Sequence, residues 1–451
     1  MSSKAYFGTD GIRGVAGEPP LDPATVYAVG LALGEDLASR GGGAIVLGQD
    51  TRESSPWIAE TLAAGAADRG IRAVSAGVIT TPAIAYLTRT GDFAAGVMIS
   101  ASHNPYRDNG IKVFGHSGYK LPDAEESEIE ARLDRYLAAG VTPRRLPLAA
   151  TAGLHDRYVE FLAGRLQNGG GPTPLAGLRV LVDCGHGAAT SVAAEVLRRL
   201  GVAPVMMSDR PNGRNINDHC GALYPEVMAA RVPQLGVDAG LALDGDADRV
   251  ILADAAGRIV DGDRVLFIAA RFLQAHSRLL PPRVVGTVMS NLGLELALRP
   301  LGIALDRAPV GDKYVLESML ASGAVLGGEP SGHVIFRHDA TTGDGLLTAL
   351  RVFEVMAREK ASLADLAAPF QPFPQKLVNV RVREKKPLAE IPAVQSAIAA
   401  AEGHFGREGR VLVRYSGTEK LARVMVEAAS AADVERHSAA IAAALQAALG
   451  E

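Results

Sequence analysis

The apolar runs AIVLG (44–48), IRAVSAG (71–77), AAGVMIS (94–100) and IKVF (111–114) are separated by segments with helical character. Short apolar strands that alternate with helices are typical of a βαβ sheet. We expect Ser55 to cap the helix after the first run, because a serine hydroxyl can satisfy the free N–H groups at a helix start. This stretch therefore predicts an α/β domain near the start of the chain.

The same alternation occurs twice more along the chain. The second unit begins with LRVLVDCG (178–185) and continues to AGLALDGDADR (239–249). The third begins near Gly262 and contains AVLGGEPSGH (324–333), which an amphipathic helix follows. From Lys376 onward, apolar runs and a long alanine-rich helix predict a small α+β domain. The predicted fold is therefore α/β, with three similar α/β domains and a C-terminal α+β domain.

Segments rich in glycine and proline mark the expected boundaries. The segment 168–177 and the run QPFPQ (371–375) are candidate joints, because both residue types interrupt regular structure. A chain of 451 residues exceeds what one hydrophobic core usually supports. The predicted domains span residues 1–150, 151–255, 256–370 and 371–451.

The composition is that of a globular protein with small partners. A net charge of −4, without long runs of like charge, argues against binding to nucleic acid. The two cysteines are too few for a disulfide framework, which favours a reducing cytoplasm. The first residues lack the pattern of a signal peptide, and no stretch approaches about 20 consecutive apolar residues. We therefore expect no membrane segment.

Each α/β unit places a polar loop directly after an apolar strand. These loops are SASHNP (100–105), DGDADR (244–249) and GEPSGH (328–333). Ligands of open parallel sheets bind beyond the carboxyl ends of the strands. We therefore expect the three loops to meet in one cleft.

Three carboxylates alternate in the second loop: Asp244, Asp246 and Asp248. Carboxylates this close repel one another unless a cation lies among them, and hard oxygen ligands suit Mg²⁺. A solvated acidic turn is the alternative. A calcium EF-hand does not fit, because its loop needs Gly and Glu where this chain has Arg249 and Ala255. Arg249 instead suggests a cation that faces a phosphate beside the metal.

Ser102 lies just past an apolar strand, with His103 beside it and Lys112 ten residues further on. A serine hydroxyl needs a base or a metal before it becomes a good nucleophile, and both are predicted here. A plain turn is the alternative, since serine, asparagine and proline favour turns. An esterase-type nucleophile is disfavoured because the pattern G-x-S-x-G does not surround Ser102.

Two further motifs suggest binding groups for a sugar phosphate. Glu329, Ser331 and His333 occupy alternate positions, so on an extended segment they would face one way and could contact vicinal hydroxyls. A glycine-rich connection is the alternative for this motif. The run RYSGTEKLAR (414–423) combines hydroxyls, backbone N–H groups and guanidinium groups, which suit a phosphate dianion. Its candidate phosphate ligands are Arg414, Ser416, Gly417, Thr418 and Arg423.

Taken together and in this order, the motifs resemble the α-D-phosphohexomutase superfamily. The resemblance is carried by FGTDGIRG (7–14), ISASHNPYRDNGIKVFG (99–115), PNGRNIN (211–217), LALDGDADR (241–249) and RVLVRYSGTE (410–419). Among the members of the superfamily, the chain is most similar to those that act on glucosamine phosphates. The resemblance implies four domains around a deep central cleft, three of them topologically alike.

The resemblance also implies a chemistry. Ser102 would be a phosphoserine, and one Mg²⁺ per chain would be bound by this group together with Asp244, Asp246 and Asp248. The phosphoserine would donate to O1 of glucosamine 6-phosphate. The resulting 1,6-bisphosphate would turn over and return its O6 phosphoryl group to Ser102, leaving glucosamine 1-phosphate for UDP-N-acetylglucosamine and cell-wall precursor synthesis. Glucosamine or glucose 1,6-bisphosphate would act as the activator.

Further roles follow from the same resemblance. The groups around the transferring phosphoryl would be Arg13, His103, Lys112 and Arg249, with His103 or Lys112 as the acid/base group. The sugar-binding residues would be Glu329, Ser331, His333 and Lys313. The second phosphate would be held by Arg414, Ser416, Gly417, Thr418 and Arg423.

Two alternatives stay open at this point. A phosphomannomutase or phosphoglucomutase would share the chemistry and differ in the sugar, and Pro330 stands where the family commonly has glutamine. A non-catalytic sugar-phosphate sensor is an alternative from another class. A P-loop kinase and a nicotinamide enzyme are disfavoured, because neither glycine signature is present. The expected partner is a small sugar phosphate, with no nucleic acid and no membrane, for a monomer or homodimer.

Overall fold

The computed structural model describes residues 5–8, 10–166, 173–416 and 420–450. The chain forms two compact units, Met1–Met289 with Leu305–Ala367 and Ser290–Ala304 with Ala368–Glu451. Three helix-flanked sheets belong to the first unit, and one sheet belongs to the second.

The first sheet is mixed. Its strands are β1 (Phe7–Gly8), β2 (Gly11–Val15), β3 (Ala44–Gln49), β4 (Arg72–Val78), β5 (Ala95–Ile99) and β6 (Asp108–Gly115). Their order is β1-β2-β6-β5-β3-β4, in which β3 pairs in parallel with β4 and β5 and the other pairs are antiparallel. The accompanying helices are α1 (Pro23–Ser39), α2 (Ser55–Ala67), α3 (Thr81–Thr90) and α4 (Asp123–Ala139). Side chains of α1, α2 and α4 share one buried cluster with the sheet.

Ser55 does not cap α2, in contrast to the expectation from sequence. Ser54 occupies the cap position and makes no side-chain capping bond. The Ser55 hydroxyl donates to Asp50 Oδ1 at 2.8 Å, inside the protein. A buried carboxylate therefore takes the hydroxyl that the local pattern assigned to the helix start.

The second sheet also combines parallel strands with an antiparallel edge. Its strands are β7 (Arg179–Asp183), β8 (Ala203–Met207), β9 (Ala239–Leu243), β10 (Val250–Asp254) and β11 (Ile259–Val260). Their order is β11-β10-β9-β7-β8, with β7 parallel to β8 and β9. The helices are α5 (Leu154–Gly164), α6 (Ala193–Arg199) and α7 (Pro225–Leu235). Gly240 on β9 lets α7 approach closely, since a Cβ there would lie 2.1 Å from Met228 Sδ.

The third sheet has the order β13-β12-β14-β15. Its strands are β12 (Arg283–Thr287), β13 (Ala304–Ala308), β14 (Leu326–Gly328) and β15 (Val334–Phe336). β12 pairs in parallel with β14, which pairs antiparallel with β15. The helices of this region are α8 (Gly262–Ala275), α9 (Leu292–Leu298), α10 (Asp312–Ser322), α11 (Gly345–Glu359) and α12 (Leu363–Ala367), of which α9 belongs to the second unit.

The second unit is built on an antiparallel sheet of three strands in the order β16-β18-β17. The strands are β16 (Gln375–Arg381), β17 (Gly409–Tyr415) and β18 (Leu421–Ala428), and the helices are α13 (Pro392–Phe405) and α14 (Ala431–Leu449). The α/β prediction with an α+β C-terminal part is confirmed. In the described parts of both units, no helix is both long and apolar enough to cross a membrane.

Both cysteines are buried as free thiols in the first unit. Burial, with help from Asp183, raises the pKa of the Cys184 thiol far above its ordinary value. The same two causes raise the pKa of Cys220 to about 11. Both sulfurs are therefore protonated at neutral pH.

Candidate active site

The three polar loops that follow β5, β9 and β14 meet within the first unit. Ser102 in the loop after β5 donates from Oγ to Asp244 Oδ2 in the loop after β9, at 2.7 Å. The backbone N–H of Val250, where the second loop ends, donates to the carbonyl of Gly332 in the third, at 3.1 Å. The strand ends thus bring together residues that lie far apart in the sequence.

Ser102 is buried and has an unusual backbone conformation. Its side chain and backbone are 1% exposed, and its φ angle is +52°. Besides its bond to Asp244, its Oγ lies 3.3 Å from His103 Nδ1. A non-glycine residue with this φ is uncommon and points to a local constraint.

The three aspartates form a buried acidic triad. One ligand atom from each of Asp244, Asp246 and Asp248 lies within 4.8 Å of the others. Burial, and then repulsion from the other two carboxylates, raises the pKa of Asp244 well above its ordinary value. Among the described residues, Asp246 Oδ1 and Asp248 Oδ1 are buried and have no hydrogen-bond partner. Unpartnered carboxylate oxygens at this spacing fit a hard divalent cation.

Cationic side chains surround the acidic triad. Lys112 Nζ is 2.8 Å from Asp246 Oδ2 and 3.3 Å from Asp248 Oδ2. Burial opposes the charge on Lys112, but Asp10, Asp246 and Asp248 together raise its pKa well above the ordinary value. The backbone N–H of Arg249 donates to Asp244 Oδ1 at 3.1 Å, and its Nε lies 3.9 Å from Asp248 Oδ1. The site therefore pairs its three carboxylates with fixed positive charge.

Burial would raise the pKa of Asp248, but Lys112, His333 and Arg249 hold it well below its ordinary value. The pKa of His103 is lowered as well: burial, and then the charges of Arg249 and Arg13, lower it to about 4. His103 is therefore a neutral imidazole at pH 7, whereas Asp248 is ionised.

Arg13 reaches this loop through a second carboxylate. Its guanidinium forms an ion pair with Asp10 and donates to Asn104 Oδ1 at 3.3 Å. Asp10 also contacts Lys112 Nζ at 3.2 Å and forms an ion pair with Lys120. Asp10 thus holds three cations next to the Ser102 loop.

The loop GEPSGH is a turn, which contradicts the extended geometry expected for it. The backbone bends at residues 330–332, so Glu329 and His333 are buried whereas Ser331 is exposed. Glu329 Oε1 accepts from the N–H of Gly311 at 3.0 Å. The side chains of these alternate residues therefore do not form one row, because the tight connection between β14 and β15 breaks the two-residue repeat.

Two predicted sugar ligands have other partners. His333 Nε2 accepts from the N–H of Gly343 at 3.0 Å, and its Nδ1 is 3.8 Å from Asp248 Oδ1. Lys313 forms an ion pair with Asp123 on α4. His333 therefore lies beside the acidic triad, whereas the ammonium of Lys313 is held by a different carboxylate.

In the second unit, the phosphate motif runs from the end of β17 to the start of β18. Arg414 and Arg423 face each other across the two strands. Ser416 donates from its N–H to the carbonyl of Leu421 at 2.8 Å. Gly417 and Thr418 lie outside the described residues. Two guanidinium groups at paired positions repel each other, so an anion between them would be favourable.

Four residues that lie at this site were not singled out from the sequence: Asp10, Arg52, Thr81 and Asn217. Thr81 is the first residue of α3, and its Oγ1 donates to Asp246 Oδ2 over a distance of 2.5 Å. Asp10 and Asn217 lie in FGTDGIRG and PNGRNIN, which were recognised only as segments of resemblance. For Thr81 and Arg52 no motif offered a signal.

The fold and this site define a class of protein. Models of the phosphoglucomutase/phosphomannomutase family match the chain in four parts: the alpha/beta/alpha domain I over residues 4–139, domain II over 156–257, domain III over 261–373 and the C-terminal domain over 377–444. The chain therefore belongs to the phosphoglucomutase/phosphomannomutase family, and it is an enzyme of the phosphohexomutase superfamily.

Within this family, the chain is similar over its full length to relatives of one particular activity. The chain is 53% identical over 450 residues to a phosphoglucosamine mutase from Solibacter usitatus (strain Ellin6076), with 100% of both chains covered. Among solved structures, it is similar to a phosphoglucomutase/phosphomannomutase family protein from Burkholderia thailandensis, with a TM-score of 0.80, 24% identity and coverage of 98% and 99%. An N-acetylphosphoglucosamine mutase from Aspergillus fumigatus, in complex with GlcNAc-6P and magnesium, has a TM-score of 0.64, 20% identity and coverage of 99% and 96%. These two structures support the fold alone.

Proposed function

We propose that this enzyme interconverts glucosamine 6-phosphate and glucosamine 1-phosphate through a phosphoserine at Ser102 and a 1,6-bisphosphate intermediate. The observation that carries the proposal is the buried hydroxyl of Ser102, 2.7 Å from the acidic triad. A hydroxyl held against three carboxylates and several cations suits transfer of a phosphoryl group. The full-length relatives named phosphoglucosamine mutase support glucosamine as the sugar.

The acidic triad fits one Mg²⁺ per chain. Asp244, Asp246 and Asp248, with the phosphoryl group on Ser102, would supply oxygen ligands. Two of the carboxylate oxygens are buried and have no other partner in the described part of the chain. When bound, the ion would neutralise charge on the transferring phosphoryl group.

The reaction would proceed in two transfers. In the first, the bond between phosphorus and Ser102 Oγ breaks, a bond from phosphorus to O1 of glucosamine 6-phosphate forms, and the proton of O1 passes to Ser102 Oγ. The bisphosphate then turns over. In the second, the O6–phosphorus bond breaks, Ser102 Oγ takes the phosphoryl group, and the proton of the Ser102 hydroxyl passes to O6. Ser102 is thereby reloaded for the next cycle.

The side chains around Ser102 have distinct parts in these transfers. Lys112, Arg249 and Arg13 would stabilise the negative charge that spreads over the phosphoryl oxygens. Their positions are fixed before reaction, because each contacts a buried carboxylate or the Ser102 loop. His103 Nδ1 lies 3.3 Å from Ser102 Oγ. His103 is therefore the candidate to carry the proton between the sugar hydroxyl and Ser102 Oγ.

Sugar and phosphate binding would involve the other motifs. Glu329 and Ser331 would contact sugar hydroxyls, while His333 and Lys313 stay predicted sugar ligands whose contacts favour a supporting role. In the second unit, Arg414, Ser416 and Arg423, with Gly417 and Thr418, would hold the phosphate that is not transferred.

Three finer points belong to the same proposal. Glucosamine or glucose 1,6-bisphosphate would load Ser102 before the first turnover, and the enzyme would act as a monomer or homodimer. We place it in the cytoplasm, where two free thiols stay reduced.

The test compares turnover of glucosamine, glucose and mannose 1-phosphates by the purified enzyme in Mg²⁺, with intact mass measured after exposure to a sugar bisphosphate. We expect the fastest turnover with glucosamine 1-phosphate and a mass gain of one phosphoryl group that Ser102→Ala abolishes. Faster turnover of mannose 1-phosphate would indicate the alternative sugar. A wild-type protein that never takes up phosphate and turns over no sugar phosphate would favour the sensor.

A further inference from the structure

We propose that Arg52 and Asn217 are positioning residues for phosphoryl transfer, which together hold the backbone of the Ser102 loop so that its hydroxyl meets the acidic triad. Neither side chain contacts the Ser102 hydroxyl in any hydrogen bond of the described residues. The expected effects on turnover and on Ser102 phosphorylation rest on the proposed function. The expected effect on the mobility of the loop rests on its geometry alone.

Both side chains donate to the same two carbonyl groups. Arg52 Nη2 is 3.1 Å from the carbonyl oxygen of Ser102 and 2.6 Å from that of Asn104. Asn217 Nδ2 is 2.9 Å and 3.2 Å from the same oxygens. Four donor contacts from two distant segments thus converge on one short piece of backbone. We call the two side chains and these four contacts the loop clamp.

The loop needs such a clamp because its backbone is strained. Ser102 has a φ of +52°, a conformation that a residue with a side chain adopts only where its surroundings impose it. Its carbonyl also lies against the DGDADR loop, where a Cβ on Gly245 would be 2.5 Å from the oxygen. Relaxation of this turn would move Ser102 Oγ away from Asp244.

Arg52 is itself fixed from the opposite side. Its guanidinium is fully buried and forms an ion pair with Asp50, a carboxylate that also accepts from Ser55 Oγ at 2.8 Å. A buried ion pair alone contributes little net stability compared with apolar side chains of similar size. A guanidinium here is better explained by the planar fork that reaches several acceptors at once.

Asn217 is anchored separately from Arg52. Its backbone N–H donates to the carbonyl of Gly185 at 2.9 Å, and its own φ is +58°. The loop clamp therefore joins the Ser102 loop to the loop after β7. Loss of either donor should leave the other in place and loosen the turn.

The first experiment uses Arg52→Lys and Asn217→Gly. The lysine keeps the charge and loses the fork, whereas glycine keeps the left-handed backbone and loses the amide. Arg214→Lys and His219→Gly are matched controls, since both side chains are exposed and His219 also has a positive φ. Exchange of the backbone amide hydrogens of residues 101–104 should be at least about tenfold faster in the clamp variants than in the controls.

Kinetics with wild-type enzyme as reference then separate positioning from general destabilisation. We expect kcat and the rate of Ser102 phosphorylation by a sugar bisphosphate to fall about a hundredfold, with KM for the sugar phosphate within about threefold of wild type. Unchanged loop exchange in both variants, or kcat within about twofold of wild type, would overturn the inference.

Each remaining outcome has a definite meaning. If Arg52→Lys does not fold, Asn217→Gly alone decides the question, because it replaces an amide in a loop and leaves the buried ion pair intact. If wild-type Ser102 never takes up phosphate, the proposed function fails. The exchange measurement then still supports or overturns the loop clamp.

Discussion

Asp246 lies where the acidic triad meets other parts of the first unit. Its Oδ2 accepts from Thr81 and Lys112, while its Oδ1 has no protein partner among the described residues. We expect Asp246→Asn to lower kcat by at least about 10²-fold, because an amide is a poor Mg²⁺ ligand beside a transferring phosphoryl group. Turnover in Mg²⁺ and the rise in melting temperature on adding Mg²⁺ both measure this effect.

Asp218→Asn serves as the control, since Asp218 is two-thirds exposed and the substitution removes the same charge. It should keep wild-type turnover and the full Mg²⁺-dependent rise in melting temperature. Near-normal turnover in Asp246→Asn would show that the acidic triad does not bind the catalytic metal.

At this scale, sequence identified the residues that form local motifs and missed those that act across the fold. Ser102 and the three aspartates each follow a strand, so spacing and residue type made them candidates, and the order of the motifs along the chain decided in favour of a site. Thr81 and Arg52 come from other segments, and only folding brings them to these loops. The roles assigned to the site residues stay predictions.

At the scale of elements, the start of α11 contains a buried acid. Asp344 Oδ1 accepts from the N–H of Leu347 at 2.9 Å as the helix cap, and its Oδ2 accepts from Tyr158 at 2.9 Å. Burial is the main cause that raises the pKa of Asp344 to about 6. The folded protein therefore binds this proton more tightly than the unfolded chain does.

The sign of the pH dependence follows from this difference. Since the folded pKa is the higher one, ionisation of Asp344 destabilises the fold as the pH rises from about 4 to about 7, by about 2–3 kcal/mol in total. Asp344→Asn retains a capping oxygen and has no such ionisation. The melting temperature of this variant, relative to wild type, should be higher at pH 8 than at pH 5.

Asp92→Asn is the control for this measurement, because Asp92 is exposed. Its melting temperature relative to wild type should be the same at both pH values. If Asp344→Asn behaves in the same way, the buried carboxyl does not titrate in this range.

Element boundaries were predictable wherever tertiary contacts agree with the local pattern. The amphipathic helix expected after GEPSGH appears as α11, and the alanine-rich helix expected near the end of the chain appears as α14. Ser55 and the GEPSGH turn differ from expectation, since a buried carboxylate and a tight strand connection outweigh capping and two-residue periodicity. Local rules fail where a distant group competes for the same atoms.

For the whole molecule, the second unit has a test of its own. Arg414→Gln removes one of the two paired guanidinium groups on β17 and β18. A charge-assisted hydrogen bond to phosphate contributes about 1.5–3 kcal/mol, so KM for the sugar phosphate should rise about tenfold or more. Initial rates over a range of substrate concentrations give this value.

Arg407→Gln is the matched control, since Arg407 is exposed and carries the same charge. Its KM should equal that of wild type at fixed ionic strength. An unchanged KM in Arg414→Gln would remove Arg414 from the phosphate anchor.

The α/β class and the α+β C-terminal part were predictable because hydrophobic periodicity repeats along the whole chain. The division at residues 150, 255 and 370 stays a prediction. The sugar is harder to predict than the chemistry, because Glu329 and Ser331 lie on a turn whose shape depends on β14 and β15.

The buried Cys184 and Cys220 make the chain convenient for spectroscopy. Alkylating probes react with thiolates, and both native sulfurs stay protonated and shielded. A cysteine introduced at an exposed position, such as Asp92 or Arg407, would therefore accept a fluorophore or a spin label selectively.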